Sequence, residues 1–386
     1  MNKLALLLLS VALCAVFPAG LCTAAAAAAP VRARALGIPF DGTAGTYNAI
    51  TDVSGVEVGY TTLIQGEGAH AVRTGVTAIL PRRRATVDQP VFAGVFSLNG
   101  NGEMTGTHWI EESGFLEGPV MLTNTHSVGI VRDAVIQWRT RQGRPDPSGY
   151  WWSLPVVAET WDGDLNDING FHIRPEHVFA ALEGARGGAI EEGNVGGGTG
   201  MICHEFKCGT GTSSRIVSID ESRYTVGTLV QANYGVREEL RVAGVPVGKH
   251  LRDHLPGGTS QDQGSIIIVV ATDAPLLPHQ LKRMARRAAL GLARNGSYAG
   301  NGSGDIFIAF STANQTASQV ATSQLRALGN EQMDPLFLAT VRAVEESIIN
   351  ALVAARTMTG VDGRTATAID HEALRKILAQ YGRLNR

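Results

Sequence analysis

The sequence points to a layered α/β domain in which buried sheets are covered by helices. Apolar residues make up 44% of the 386, enough to fill a core, and the 46 glycines follow no three-residue period. Short β-prone runs come in pairs between longer amphipathic stretches, the pattern of sheets with helices packed on them. No unit of about 20–50 residues repeats, and no linker is biased enough to divide the chain, so one compact unit is expected. Lys and Arg total 33 against 35 Asp and Glu, which leaves no global field for nucleic acid or an anionic membrane.

The chain opens with a leader. Lys3 precedes an apolar run, broken at Ser10, that extends to Phe17, followed by Pro18, Gly20 and the alanines of 24–29. A cationic start, an apolar middle and a small-residue exit describe a secretory signal peptide, removed to leave a single domain over 30–386. Pro18 and Gly20 interrupt the run and no stop-transfer charges follow directly, which argues against a membrane anchor. Neither Cys14 nor Cys22 follows the small residue of a lipoprotein box. An exported, periplasmic location is therefore the sequence-based expectation, with no membrane attachment in the mature form.

Residues 90–97 and 119–123 read as buried strands, 131–139 as a helix and 154–158 as a short strand. A helix with Pro at its first turn is expected over 175–185. Strands follow at 216–218 and 224–232, the second ending at Asn233. A polar, turn-rich stretch, 255–264, then feeds 265–271, the most β-prone run of the chain. The helix predicted at 278–295 puts Leu281, Met284, Ala285, Ala288 and Leu292 on one face. Its basic face of Lys282, Arg283, Arg286 and Arg287 reads as a solvated surface rather than a polyanion site. A strand at 305–310 and a long helix at 333–356 complete the pass.

The chemistry centres on Gly264-Ser265. Ser at a strand start is ordinarily a turn residue, but here a flexible loop delivers a glycine and a hydroxyl to a stiff strand. Gly264 presents no side chain to block attack on its own carbonyl. The Ser265 hydroxyl can attack it, shift the acyl group from nitrogen to oxygen, and leave an ester for water to cleave. Ser265 then begins a new chain with a hydroxyl and a free α-amine, whose ordinary pKa of about 7.7–8.0 suits a base near neutrality.

Ser303 and Asp305 enter the next strand at positions i and i+2, so they point the same way and can form a hydroxyl–carboxylate relay. The glycine-rich loop 193–200 lacks the Lys-Ser/Thr ending of a phosphate loop and the dinucleotide fingerprint. It is read as a tight turn that brings backbone against backbone, with amides available to line a pocket. Cys203 and Cys208 cannot complete a zinc site. They are read equally as a disulfide and as buried free thiols. No metal or cofactor is expected.

Four runs together resemble the self-processing serine aminopeptidases, the family of the β-peptidyl aminopeptidases and the L-aminopeptidase/D-amidase/esterase. They are Ser97-Leu-Asn-Gly-Asn-Gly-Glu-Met-Thr-Gly106, Gly193-Asn-Val-Gly-Gly-Gly-Thr-Gly-Met201, Gly264-Ser-Ile-Ile-Ile-Val-Val-Ala-Thr-Asp273 and Gly300-Asn-Gly-Ser-Gly-Asp305. The resemblance implies a four-layer αββα sandwich similar to N-terminal-nucleophile hydrolases but with different connectivity. It also implies self-cleavage into 30–264 and 265–386 and a homo-oligomer of the cleaved heterodimers. By position, Ser265 matches the family nucleophile, and Ser303 and Asp305 the supporting hydroxyl and acid. Asn233 matches the amide that donates to the oxyanion, and Glu159 the acid that receives the substrate amine. Some relatives carry Tyr where Trp161 stands; indole donates a hydrogen bond but accepts no proton, so Trp161 is assigned to the pocket wall.

The leading function is thus an exported aminopeptidase that removes N-terminal β-amino acids, or small L-α or D-alanyl residues, from short peptides, amides or esters. Export and Trp161 lean toward β-peptides. Two other classes compete. An ornithine-acetyltransferase-like acyl transfer fits poorly, because those enzymes cleave before Thr and serve biosynthesis. An exported binding protein with anion-holding glycine loops would need no cleavage at Ser265.

Overall fold

The computed structural model describes residues 31–142, 152–251, 264–318 and 321–385. The leader assigned to 1–29 lies outside them. The elements run β1 (Glu57–Gln65), β2 (Val72–Leu80), β3 (Val91–Ser97), α1 (Thr107–Ser113), β4 (Phe115–Leu116), β5 (Val120–Asn124), α2 (Val128–Arg141) and β6 (Val156–Thr160). Next come α3 (Pro175–Glu183), β7 (Ile202–Cys203), β8 (Phe206–Lys207), β9 (Thr210–Ile219), β10 (Ser222–Asn233) and β11 (Ser265–Thr272). The chain ends with α4 (Pro278–Arg294), β12 (Ile306–Ser311), α5 (Asp334–Val353), β13 (Met358–Thr359), β14 (Thr365–Ala366) and α6 (His371–Gln380).

Two sheets form the centre, one in the order β1-β2-β5-β6 and one in the order β4-β3-β12-β11-β10-β9. Each contains one parallel pair: β5 with β6 across α2, and β11 with β12 across α4. A crossover helix must cover one face of its sheet. The other faces meet. Ile79, Leu122 and Ala158 of the smaller sheet pack with Val95, Leu229, Ile267, Val269 and Ile308 of the larger. Outside, α2 and α3 bury Val131, Val135, Trp138, Val178 and Leu182 against Ala78, Met121 and Val157. On the far side α4 and α5 cover Val230, Ile266, Ile268, Val270 and Phe307. The result is a four-layer αββα sandwich. β11 alternates between the two cores with every residue buried, which is why it reads as an unbroken apolar run.

Local chemistry sets several boundaries. β6 begins at Val156, two residues later than its sequence pattern, because Pro155 has no N–H to give a ladder. The basic face of α4 is engaged by its neighbours: Lys282 pairs with Glu111 at 2.8 Å and Arg287 lies 3.9 Å over the Phe337 ring. β9 extends back to Thr210 through polar residues, since α5 presents polar groups to it. Ser213 donates to the carbonyl of Ala343 at 2.6 Å, and a Cβ at Gly211 would stand 2.0 Å from the carbonyl of Ser347.

The centre of this interface is Glu346, fully buried, which takes Arg34 at 2.7 and 2.8 Å and Arg215 at 2.7 Å. Burial alone would raise its pKa, but the bonds and charges of Arg34 and Arg215 outweigh this and hold it below the ordinary value. Glu346→Leu leaves the buried Arg215 uncompensated and should destabilise by about 3–5 kcal/mol, read from urea midpoints. The depressed pKa means that this contribution is present at neutral pH and is lost as pH falls through the folded-state value.

Candidate active site

The strand order brings five chain segments to one end of the sandwich. Asn233, the last residue of β10, pairs directly with Ser265, the first of β11. Ile306, the first of β12, pairs with Ser97, the last of β3. From the other sheet, β6 delivers Glu159 and Thr160 at its C-terminal end. The loop 98–106 runs from β3 to the edge of β6, where Thr105 donates to the carbonyl of Val157 at 2.9 Å.

These segments enclose a cavity of about 860 Å³ whose walls include Gly102, Thr125, Glu159, Trp161, Asn233 and Ser265. The Ser265 hydroxyl accepts a 3.2 Å bond from the Gly304 amide. Ser303 and Asp305 project together: the Ser303 hydroxyl donates to Asp305 Oδ1 at 2.7 Å, and both are buried. Asn99 clamps the acid from the facing loop. Its Nδ2 donates to Asp305 Oδ2 at 3.1 Å and its Oδ1 accepts from the Asp305 amide at 2.5 Å. The two loops meet at glycines, since a Cβ on Gly304 would stand 2.3 Å from the Asn101 carbonyl.

Asn233 is fixed at both ends of its amide. Oδ1 accepts from the Ile202 N–H and Nδ2 donates to the Trp161 carbonyl, each at 2.8 Å. A primary amide has two N–H groups, so one remains for a ligand. Glu159 Oε1 accepts from the Glu103 amide at 3.0 Å, and Oε2 accepts from the Thr125 hydroxyl. Burial raises the Glu159 pKa above the ordinary 4.5, while the Thr125 and Glu103 bonds oppose the shift. Trp161 is 43% exposed, its ring set edge-on against His126 at 5.7 Å. Gly264 admits no side chain: a Cβ would lie 1.9 Å from the Asn233 carbonyl.

All six side chains singled out from the sequence, Glu159, Trp161, Asn233, Ser265, Ser303 and Asp305, therefore lie at this end of the molecule. Sequence reasoning missed Asn99, Glu103 and Thr125, which hold the acids in place. Asn99 and Glu103 fall inside the run 97–106, its only signal of them. The glycine loop 193–200 is a buried close approach, with a Cβ on Gly198 falling 2.4 Å from the Thr210 amide. Its amides are not among the cavity walls. Cys203 and Cys208 are joined in a disulfide. Among the described residues, no cluster of three or more His, Cys, Asp or Glu could hold a metal ion, and no helix is long and apolar enough to cross a membrane. The constellation offers a hydroxyl nucleophile, a hydroxyl–carboxylate pair, an amide donor and a separate carboxylate, which together suit acyl transfer on a substrate bearing an amine.

Comparison with known proteins agrees with this geometry. The model of peptidase family S58 matches residues 48–366. The chain is 52% identical over 387 aligned residues to β-peptidyl aminopeptidase BapA of Sphingosinicella microcystinivorans, covering 95% of this chain and 96% of that protein. The structure of the L-aminopeptidase D-Ala-esterase/amidase of Ochrobactrum anthropi, described as a serine aminopeptidase and a variant of the Ntn hydrolase fold, superposes with a TM-score of 0.86 at 51% identity. That match covers 92% of this chain and 99% of the other. A β-aminopeptidase from Burkholderia sp. gives 0.84 at 48% identity, covering 91% and 99%.

Proposed function

The chain belongs to peptidase family S58, and we propose that it is an exported, self-cleaving aminopeptidase that releases N-terminal residues, β-amino acids above all, from short peptides and amides. The observation that carries the reading is the placement of Ser265: first residue of a rigid strand, hydroxyl in the cavity, with Asn233 beside it and Glu159 on the facing sheet.

In the first step the Ser265 hydroxyl adds to the Gly264 carbonyl, the C–N bond breaks, and the amine leaves with a proton. Water then hydrolyses the ester, giving a Gly264 carboxylate and a free Ser265 α-amine. In turnover that amine takes the hydroxyl proton as Ser265 attacks the substrate carbonyl, and returns it to the departing amine. Ser303 and Asp305 hold the α-ammonium side of the nucleophile. The second N–H of Asn233 meets the oxyanion. Glu159 pairs with the substrate ammonium, which limits attack to the bond next to a free N-terminus. Trp161 forms a wall for the first side chain. A water molecule completes the cycle by cleaving the acyl-enzyme.

Intact-mass analysis under denaturing conditions, on protein made in a bacterial host, tests cleavage and export together. Two chains are expected, one starting near residue 30 and ending at Gly264, the other 265–386. A single chain that is fully active overturns the reading. The same scheme sets an acid limb. Glu159 must be ionised to hold an ammonium, so KM should rise as pH falls through a value above 4.5. Thr125→Val removes a bond that favours the ionised form. It should move that limb to higher pH and raise KM about tenfold, with kcat nearly unchanged, in steady-state pH profiles.

A further inference from the structure

We propose that Lys207 is a positioning residue for the oxyanion donor: its buried ammonium polarises the Asn233 amide through the Met201–Ile202 peptide and strengthens the hydrogen bond which that amide offers the transition state. The inference rests on the reading of Asn233 as the oxyanion donor and extends it to the group behind that donor.

The connection is continuous. Lys207 Nζ donates to the Met201 carbonyl at 2.9 Å. The same peptide unit carries the Ile202 N–H, which donates to Asn233 Oδ1 at 2.8 Å. Asn233 Nδ2 gives one hydrogen to the Trp161 carbonyl and keeps the other for a ligand in the cavity that Asn233 and Ser265 line. A cation at the oxygen of an amide draws electron density toward itself and leaves the N–H more positive. In a chain each bond then strengthens the next, by roughly 10–30% per bond. Two amides, the 201–202 peptide and the Asn233 side chain, lie between the ammonium and the cavity, and both point the same way along the chain.

Lys207 is a costly way to hold a hairpin. It is fully buried, and burial pushes its pKa down to about 7 with no carboxylate opposing the shift. Its other bond goes to a second neutral acceptor, the Cys208 carbonyl, at 2.6 Å. The hairpin of β7 and β8 has closures that need no charge at this position. The Cys203–Cys208 disulfide joins its strands, and the Cys208 N–H also donates to the Met201 carbonyl, at 3.0 Å. Arg237 donates to the main-chain carbonyls of His204 and Glu205 at 2.9 and 2.6 Å. A methionine would fill the same space without the desolvation of an ion. A buried cation without a counter-ion, set at the back of an oxyanion donor, acts where negative charge develops at the far end of the chain.

Lys207→Met keeps an unbranched side chain and removes the charge. Steady-state turnover of an amino-acid p-nitroanilide by fully cleaved protein should show kcat about tenfold lower, KM within about twofold, and a thermal melt at or above that of wild type. In an Asn233→Ala background the same substitution should change kcat by less than about twofold, because the chain then ends on nothing. Equal kcat for wild type and Lys207→Met overturns the assignment, as does a tenfold loss that persists without the Asn233 amide. A loss that arrives with a lower melt and a raised KM also overturns it, and makes Lys207 a prop of the hairpin. Wild-type kcat in Asn233→Ala itself instead removes the oxyanion reading on which the relay stands.

Discussion

Ser265→Ala will leave a single unsevered polypeptide and lower kcat/KM by about 10⁶-fold, the scale of loss when a hydrolase loses its nucleophile. Two separate deficits converge on one atom. Without the hydroxyl, the Gly264 carbonyl has no attacker, so the peptide bond stays closed and the α-amine stays an amide without basicity. Without the hydroxyl, an acyl-enzyme also has nowhere to form. The fold should be indifferent, because among the described residues Ser265 Oγ accepts only the Gly304 amide, at 3.2 Å, and the strand behind it is wholly buried. A change in stability of about 1 kcal/mol or less is expected from that bond. The measurements are a denaturing gel, a thermal melt and anilide turnover on the same preparation. An uncleaved Ser265→Ala protein with the wild-type melt isolates the chemistry from folding, whereas substantial anilide turnover by it would place the nucleophile elsewhere.

The sandwich was legible where one residue type settles burial. β11 announces itself because Ile266 to Ala271 feed both cores, and α4 because Leu281, Met284, Ala288 and Leu292 share a stripe. The first half of β9 was not legible. Thr210 to Arg215 look like a polar loop until α5 supplies Glu346, Ser347 and Asn350, with Ser213 and its acceptor Ala343 separated by 130 positions. The hairpin of β1 and β2 carried no decisive alternation for the same reason: its burial comes from both a sheet partner and α3. The site divides likewise. Ser303 and Asp305 are neighbours in a strand entry, so their geometry follows from period two. Asn99 reaches Asp305 across 206 positions, and Glu103 acts through its backbone N–H, which any residue could supply. A main-chain donor leaves no mark in side-chain chemistry.

Asn233→Ala should lower kcat by about 10²–10³-fold and leave KM within a few-fold, as when one oxyanion donor is removed. The argument turns on how the amide is held. Its Oδ1 is fixed by Ile202 and one Nδ2 hydrogen by Trp161, so the remaining hydrogen points without a search and without reorganisation when charge develops. That preorganisation makes the donor matter in the transition state more than in the ground state. The same residue pairs with Ser265 across the ladder, and its backbone carbonyl lies against Gly264, so under the proposed self-cleavage the oxyanion would form beside the same amide. Slow maturation should therefore accompany slow turnover, read as the uncleaved fraction against time after synthesis. Asn233→Asp separates donor loss from unmooring: it keeps the acceptor for Ile202 yet removes the donor and adds a negative charge, so it should be at least as damaging as Ala. If Asp were to restore the rate, Asn233 would serve to anchor Ile202 and the oxyanion donor would have to be sought elsewhere.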